Sequence, residues 1–249
     1  MKSGKRKARR WDPVERELRA TVGPLIAGVD EVGRGPLAGP VVACAVIMPN
    51  ARAIPGVDDS KCLTARERLR LAGIIRRRAV AIGLGAASNR EIDRVNIYHA
   101  TTLAIRRALA RLAATPDHVV LDGRAIRGLG VPHTAIVGGD ARCYSIACAS
   151  IIAKVTRDRV MKALAKRYPT YGWDRNVGYC TAKHLAGLAA TGATPHHRRS
   201  FVPVYQLALE LADAAPAPAD ETHAEEVLAV VDPGAALDLA TDLIAPPGP

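Results

Sequence analysis

Ile26-Ala27-Gly28-Val29-Asp30-Glu31-Val32-Gly33-Arg34-Gly35-Pro36-Leu37-Ala38-Gly39-Pro40-Val41-Val42 is the stretch on which the fold turns. Residues 25–29 and 41–48 are rich in Val, Ile and Ala, and Gly33, Gly35, Pro36, Gly39 and Pro40 between them supply turn chemistry. The pattern predicts two neighbouring strands. Asp30 stands where the first strand emits its loop, with Glu31 beside it. Adjacent side chains of a regular strand point to opposite faces, so a site shared by both carboxylates requires a bend at Glu31, which Gly33 makes possible.

Working outward, residues 63–78 carry Leu69, Leu71, Ile74 and Ile75 at helical spacing behind Thr64, and Glu67 completes a capping box. Residues 79–87 read as a third strand, and 91–112 as the clearest helix, striped by Ile92, Val95, Leu103, Ile105, Leu109 and Leu112. Short strands at 119–121 and 133–137 end in Asp122-Gly123 and Gly138-Gly139-Asp140. A long helix over 145–167 follows, with Ser145 to Ser150 expected to cap it and face a ligand. Shorter helices at 181–190 and 204–214 form a C-terminal extension. This order predicts an α/β protein, a mixed sheet flanked by helices. Residues 1–20 are expected as a disordered basic arm, 21–212 as the folded domain, and 213–249 as a disordered acidic Ala/Pro-rich tail.

Charge is divided unevenly along the chain. Residues 1–199 hold all 35 Lys and Arg but only 15 of the 24 Asp and Glu, and the other nine acids fall in the last fifty residues. A cationic surplus of this size favours a polyanionic partner through counterion release. No apolar run is long enough for a membrane span, and the basic N-terminus lacks the apolar segment of a signal peptide, so the cytosol is the expected compartment. Five cysteines without a C-x-x-C pair argue against a disulfide framework or a zinc site.

Asp30, Asp122 and Asp140 all stand where strands emit loops, the place where ligand sites gather in open α/β sheets. Clustered carboxylates raise one another's pKa unless cations neutralise them. Oxygen-only ligands and a phosphate substrate point to Mg²⁺ or Mn²⁺, and two such ions suit phosphodiester hydrolysis. Each Asp alone also fits a turn residue. A nucleic-acid-binding protein without activity is the competing class, disfavoured because unneutralised acids repel phosphate.

The opening stretch closely resembles the first motif of the bacterial ribonuclease HII family of type 2 ribonucleases H. The likeness continues through Asp59-Ser60-Lys61, Asn96-Ile97, Leu121-Asp122-Gly123, Gly139-Asp140, the run from Ser145 to Asp158, Tyr168 to Gly172, Gly178-Tyr179, His184-Leu185 and His197 to Phe201. It implies a ribonuclease H-like fold and an endonuclease, expected as a monomer, that hydrolyses the RNA strand of RNA–DNA hybrids. It also implies cutting 5′ of single ribonucleotides in duplex DNA. By position, Asp30, Glu31, Asp122 and Asp140 become the catalytic, metal-binding set for two divalent ions. Gly33, Arg34 and Gly35, with Tyr179, become the residues that sense the ribose 2′-OH. Lys61 becomes a phosphate contact. The family carries His-Lys before its Gly-Tyr, where this chain has Asn176-Val177. The sister ribonuclease HIII type shares the acids but usually adds an N-terminal domain for which the basic arm is too short.

Overall fold

The computed structural model describes residues 11–213, with side chains described through residue 207. At its centre lies a five-stranded mixed sheet of order β3-β2-β1-β4-β5. β1 (Ile26–Val32) pairs antiparallel with β2 (Val41–Ile47), setting Asp30 opposite Cys44 and Glu31 opposite Ala43. β3 (Ala81–Ala87) continues the sheet antiparallel beyond β2. On the other side of β1, β4 (His118–Asp122) and β5 (His133–Ile136) pair parallel. Helices cover both faces, which is why β2 is apolar and buried along its whole length.

The α2 helix (Ala65–Arg78) starts on the predicted capping box, with Thr64 and Glu67 each accepting the other's backbone N–H. In α3 (Asn89–Ala110) the structure departs from the single uninterrupted helix expected over 91–112. Asn96 adopts φ +65° inside it, and its Oδ1 accepts from the Tyr98 and His99 amides, capping a restarted helix. Apolar periodicity runs on across such a junction and does not register it.

The N-terminal arm is also corrected: residues expected to be disordered form α1 (Val14–Thr21). Val14 and Leu18 pack on a cluster containing Ile26, Val120 and Ile136, while Trp11 meets Tyr144 at a ring separation of 5.6 Å. Glu15 accepts from the Ser145 amide at 3.0 Å and the Cys143 thiol at 3.2 Å. That carboxylate therefore caps α5 (Tyr144–Arg167), which follows the short α4 (Gly139–Arg142). Ser145, expected as the cap, is fully buried at a point where Gly28 brings β1 against it; a Cβ on Gly28 would lie 2.2 Å from the Ser145 carbonyl carbon.

The chain closes with α6 (Trp173–Asn176), α7 (Ala182–Thr191) and α8 (Val202–Asp213), around a cluster including Leu37, Met161, Tyr171, Trp173 and Val204. The first ten residues and the expected acidic tail beyond Asp213 lie outside the described residues. Among the described residues no helix is long and apolar enough to cross a membrane.

Candidate active site

β1 stays regular through Val32, so the expected bend at Glu31 is absent; the chain turns only at Gly33, with φ +94°. Strand alternation then sorts the two acids. Ala27 and Val29 face α3 and carry Glu31 with them, whereas Ile26 packs with Ile146 of α5 and places Asp30 on that opposite face. The strand register supplies the third acid: Val29 pairs with Leu121, and one step further on each strand stand Asp30 and Asp122. Asp140 lies in α4, directly after Gly139, whose amide donates to Asp122 Oδ1 at 2.7 Å. The end of β1 thus carries carboxylates on both faces, with those of β4 and α4 alongside.

Their electrostatics follow from burial. Burial, then the charges of Glu31 and Asp122, hold the Asp30 carboxyl well above the usual carboxylate range, while a hydrogen bond from Ser150 works the other way. Burial also raises Glu31 against the opposing pull of Arg34, whose Nη1 lies 3.1 Å from Oε1. Burial and the Asp140 charge raise Asp122. Lys61 Nζ donates to Asp140 Oδ2 at 2.9 Å, and that bond pushes the lysine up to about 12. Desolvated, mutually repelling oxygen ligands fit a hard divalent cation by donor type and charge. Among the described residues no three acidic, His or Cys side chains already stand at the spacing of a closed metal cage.

A groove of about 440 Å³ opens beside the acids, lined by Glu31 and Asp122 together with Arg34, Arg124, Tyr98 and Thr101. At its rim Arg34 and Gly35 are exposed. Tyr179, 44% exposed, sits so that a Cβ added to Gly35 would meet its ring at 3.7 Å. Asn176 builds the turn leading there, donating to Tyr171 O and accepting from the Gly178 amide. Lys154 pairs with Asp158 at 2.6 Å, on the α5 face that its spacing predicts.

His184 and His197 are buried, not poised at the groove. Trp173 donates to His184 Nε2 at 3.1 Å and Thr194 N donates to His197 Nδ1 at 2.9 Å. His197 Nε2–H therefore donates to His184 Nε2 at 3.0 Å, leaving His184 Nδ1–H for Tyr179 O at 2.9 Å. Every ring nitrogen is used, and the network ends on the backbone of Tyr179. Two further residues of the site fall within the runs that resemble the family but carry no role read from them: the buried Arg157 and Arg198, which bond the carbonyls of the Gly33–Pro40 loop. Only their three-dimensional surroundings reveal them.

The family model for Ribonuclease HII matches residues 27–204. A ribonuclease HII of Granulibacter bethesdensis is 54% identical over 202 residues, covering 79% of this chain and 90% of its own. Among solved structures, ribonuclease H2 from Pyrococcus horikoshii OT3 superposes with a TM-score of 0.65 at 25% identity, covering 75% of this chain and 98% of its own. Bst-RNase HIII, solved in complex with Mn²⁺, shares the fold with a TM-score of 0.60 at 21% identity, over 78% of this chain and 72% of its own. The chain belongs to the ribonuclease HII family, a family of ribonuclease H enzymes.

Proposed function

We propose that this protein hydrolyses the RNA strand of RNA–DNA hybrids and cuts on the 5′ side of single ribonucleotides in duplex DNA, leaving 3′-hydroxyl and 5′-phosphate ends. The observation that carries the reading is the gathering of Asp30, Glu31, Asp122 and Asp140 at the C-terminal ends of the adjacent strands β1 and β4 and the neighbouring α4, beside a groove that also holds Arg34 and Arg124. Asp30, Glu31, Asp122 and Asp140 would hold two Mg²⁺ or Mn²⁺ ions, which supply a hydroxide nucleophile and neutralise the charge of the leaving oxygen.

The protein's own side chains do the rest. Ser150 orients Asp30, and the Gly139 amide orients Asp122. Lys61, with a side chain 77% exposed, is free to exchange Asp140 for a substrate phosphate. In the loop of Gly33, Arg34 and Gly35, the exposed Gly35 lets the backbone approach a ribose, and the Tyr179 ring packs against the adjoining deoxyribose, disfavouring a second 2′-OH. The protein works as a monomer.

The test is a DNA duplex holding one ribonucleotide, incubated with Mg²⁺, Mn²⁺ or EDTA and mapped for the cut. Cleavage 5′ of the ribonucleotide, abolished by EDTA, is the expected result. Products ending in a 2′,3′-cyclic phosphate, or cutting that survives EDTA, refute the mechanism.

A further inference from the structure

We infer that Arg198, assisted by Arg157, is a positioning residue that converts the Gly33–Gly35 loop into a pair of outward amide donors for the substrate ribose. The inference rests on the reading just proposed, because that reading brings the ribose to this loop. Both guanidinium groups are 0% exposed, and among the described residues neither forms an ion pair with a carboxylate. Their partners are carbonyls. Arg198 donates to Gly39 O at 2.9 and 3.0 Å, to Arg34 O at 2.8 Å and to Gly33 O. Arg157 donates to Pro40 O at 2.9 Å, Ala38 O at 3.0 Å and Val177 O at 2.9 Å. Burial draws Arg198 down to about 9 and Arg157 to about 10, so both stay charged at neutral pH. Two buried charges hydrogen-bonded to neutral carbonyls, with Asp93 and Asp158 attracting them only at longer range and the Phe201 ring 5.0 Å from Arg198, are a costly arrangement, and apolar packing would fill the same space more cheaply.

Peptide geometry shows what the arrangement achieves. The described residues contain no cis peptide, and in a trans peptide the N–H points opposite to the C=O of the same unit. Arg198 draws the Gly33 and Arg34 carbonyls inward, so the Arg34 and Gly35 amides are turned outward. Both residues are exposed, and among the described residues neither amide donates to another group of the protein. Successive outward amides form a donor concavity suited to an oxygen-rich ligand such as a ribose hydroxyl. Arg157 also dictates the first glycine, since a Cβ on Gly33 would lie 2.1 Å from its Nε. Through Val177 O it ties the segment before Tyr179 to the same loop, fixing ring and amides relative to each other.

The experiment uses the full chain and two duplexes, one with a single ribonucleotide and one all-deoxy, with Ca²⁺ to suppress cleavage. Arg198→Lys and Arg157→Lys cannot span the carbonyls a guanidinium reaches, so each should lose on the order of 10-fold of the wild-type preference for the ribonucleotide duplex. Ile75→Ala, in the core under α2, should lower Tm yet keep the preference. Lysine variants that retain the full preference overturn the inference. A wild type with no preference refutes the underlying reading instead. Should the lysine variants not fold, amide hydrogen exchange on the wild type decides. The Arg34 and Gly35 amides should exchange freely alone and slow when the ribonucleotide duplex binds; unchanged exchange overturns the inference.

Discussion

Asp30→Asn should make the metal-free protein more stable while abolishing its activity. Asn keeps nearly the same volume and can still accept the Glu31 amide, which Asp30 Oδ1 does at 2.8 Å. What disappears is a charge that burial and the neighbouring Glu31 and Asp122 carboxylates disfavour. Relieving such a functional-site penalty is worth on the order of 1–2 kcal/mol. For a domain of this size each kcal/mol moves Tm by about 2–4 °C, so the variant should melt about 2–8 °C higher in EDTA. Divalent ions should reverse the order. Wild type in Mn²⁺ at a hundred times its dissociation constant gains about 2.7 kcal/mol, a gain that a weakened site largely forfeits. Thermal melts of both proteins in EDTA and in a Mn²⁺ titration, beside turnover on a single-ribonucleotide duplex, make the comparison. A variant less stable than wild type in EDTA would refute the account of Asp30 as a desolvated, repelled charge.

Asp122→Asn and Asp140→Asn should each lower turnover by orders of magnitude with the fold intact; near wild-type rates at saturating Mn²⁺ would remove that residue from the metal set. Tyr179→Phe should be mild and Tyr179→Ala should cost about 1–3 kcal/mol in kcat/KM on the single-ribonucleotide duplex, whereas the reverse order would assign recognition to the hydroxyl. Burial and the neighbouring His184 draw His197 from an ordinary 6.5 down to about 3, so below pH 6.5 the unfolded chain takes up the proton that the folded chain refuses. The stability this group contributes is complete above pH 6.5 and falls with acidification, by about 2 kcal/mol at pH 5. Denaturant midpoints measured between pH 7 and 5 should therefore fall less steeply in His197→Gln; parallel slopes would contradict the neutral-histidine network.

Much of this architecture is written in local patterns. The Thr64–Glu67 capping box, the apolar strands flanking Gly33 to Pro40, and the acids at strand ends are all visible as short-range signals, and the structure forms elements there. What local patterns miss depends on long-range geometry. A site on one face of the sheet requires a bend between Asp30 and Glu31, but a site at the very end of a strand draws on both faces and needs none. α1 was hidden by its charge, since its few apolar residues matter only once the cluster under them exists. The interruption at Asn96 falls within a continuous stripe, and nothing in the runs that contain Arg157 and Arg198 tells that these two of the 35 cations are buried against carbonyls.

The contact between Glu15 and the Cys143 thiol gives the molecule an internal clock. Cys62 and Cys180 are exposed, whereas Cys44, Cys143 and Cys148 are buried, so an alkylating reagent should modify the first two at once. Cys143 lies at the start of α5 under α1, and burial raises its thiol far above the ordinary value, leaving almost no reactive thiolate while the helix stays docked. Its alkylation rate therefore counts how often the first helix lifts away, and does so without any substitution in the chain.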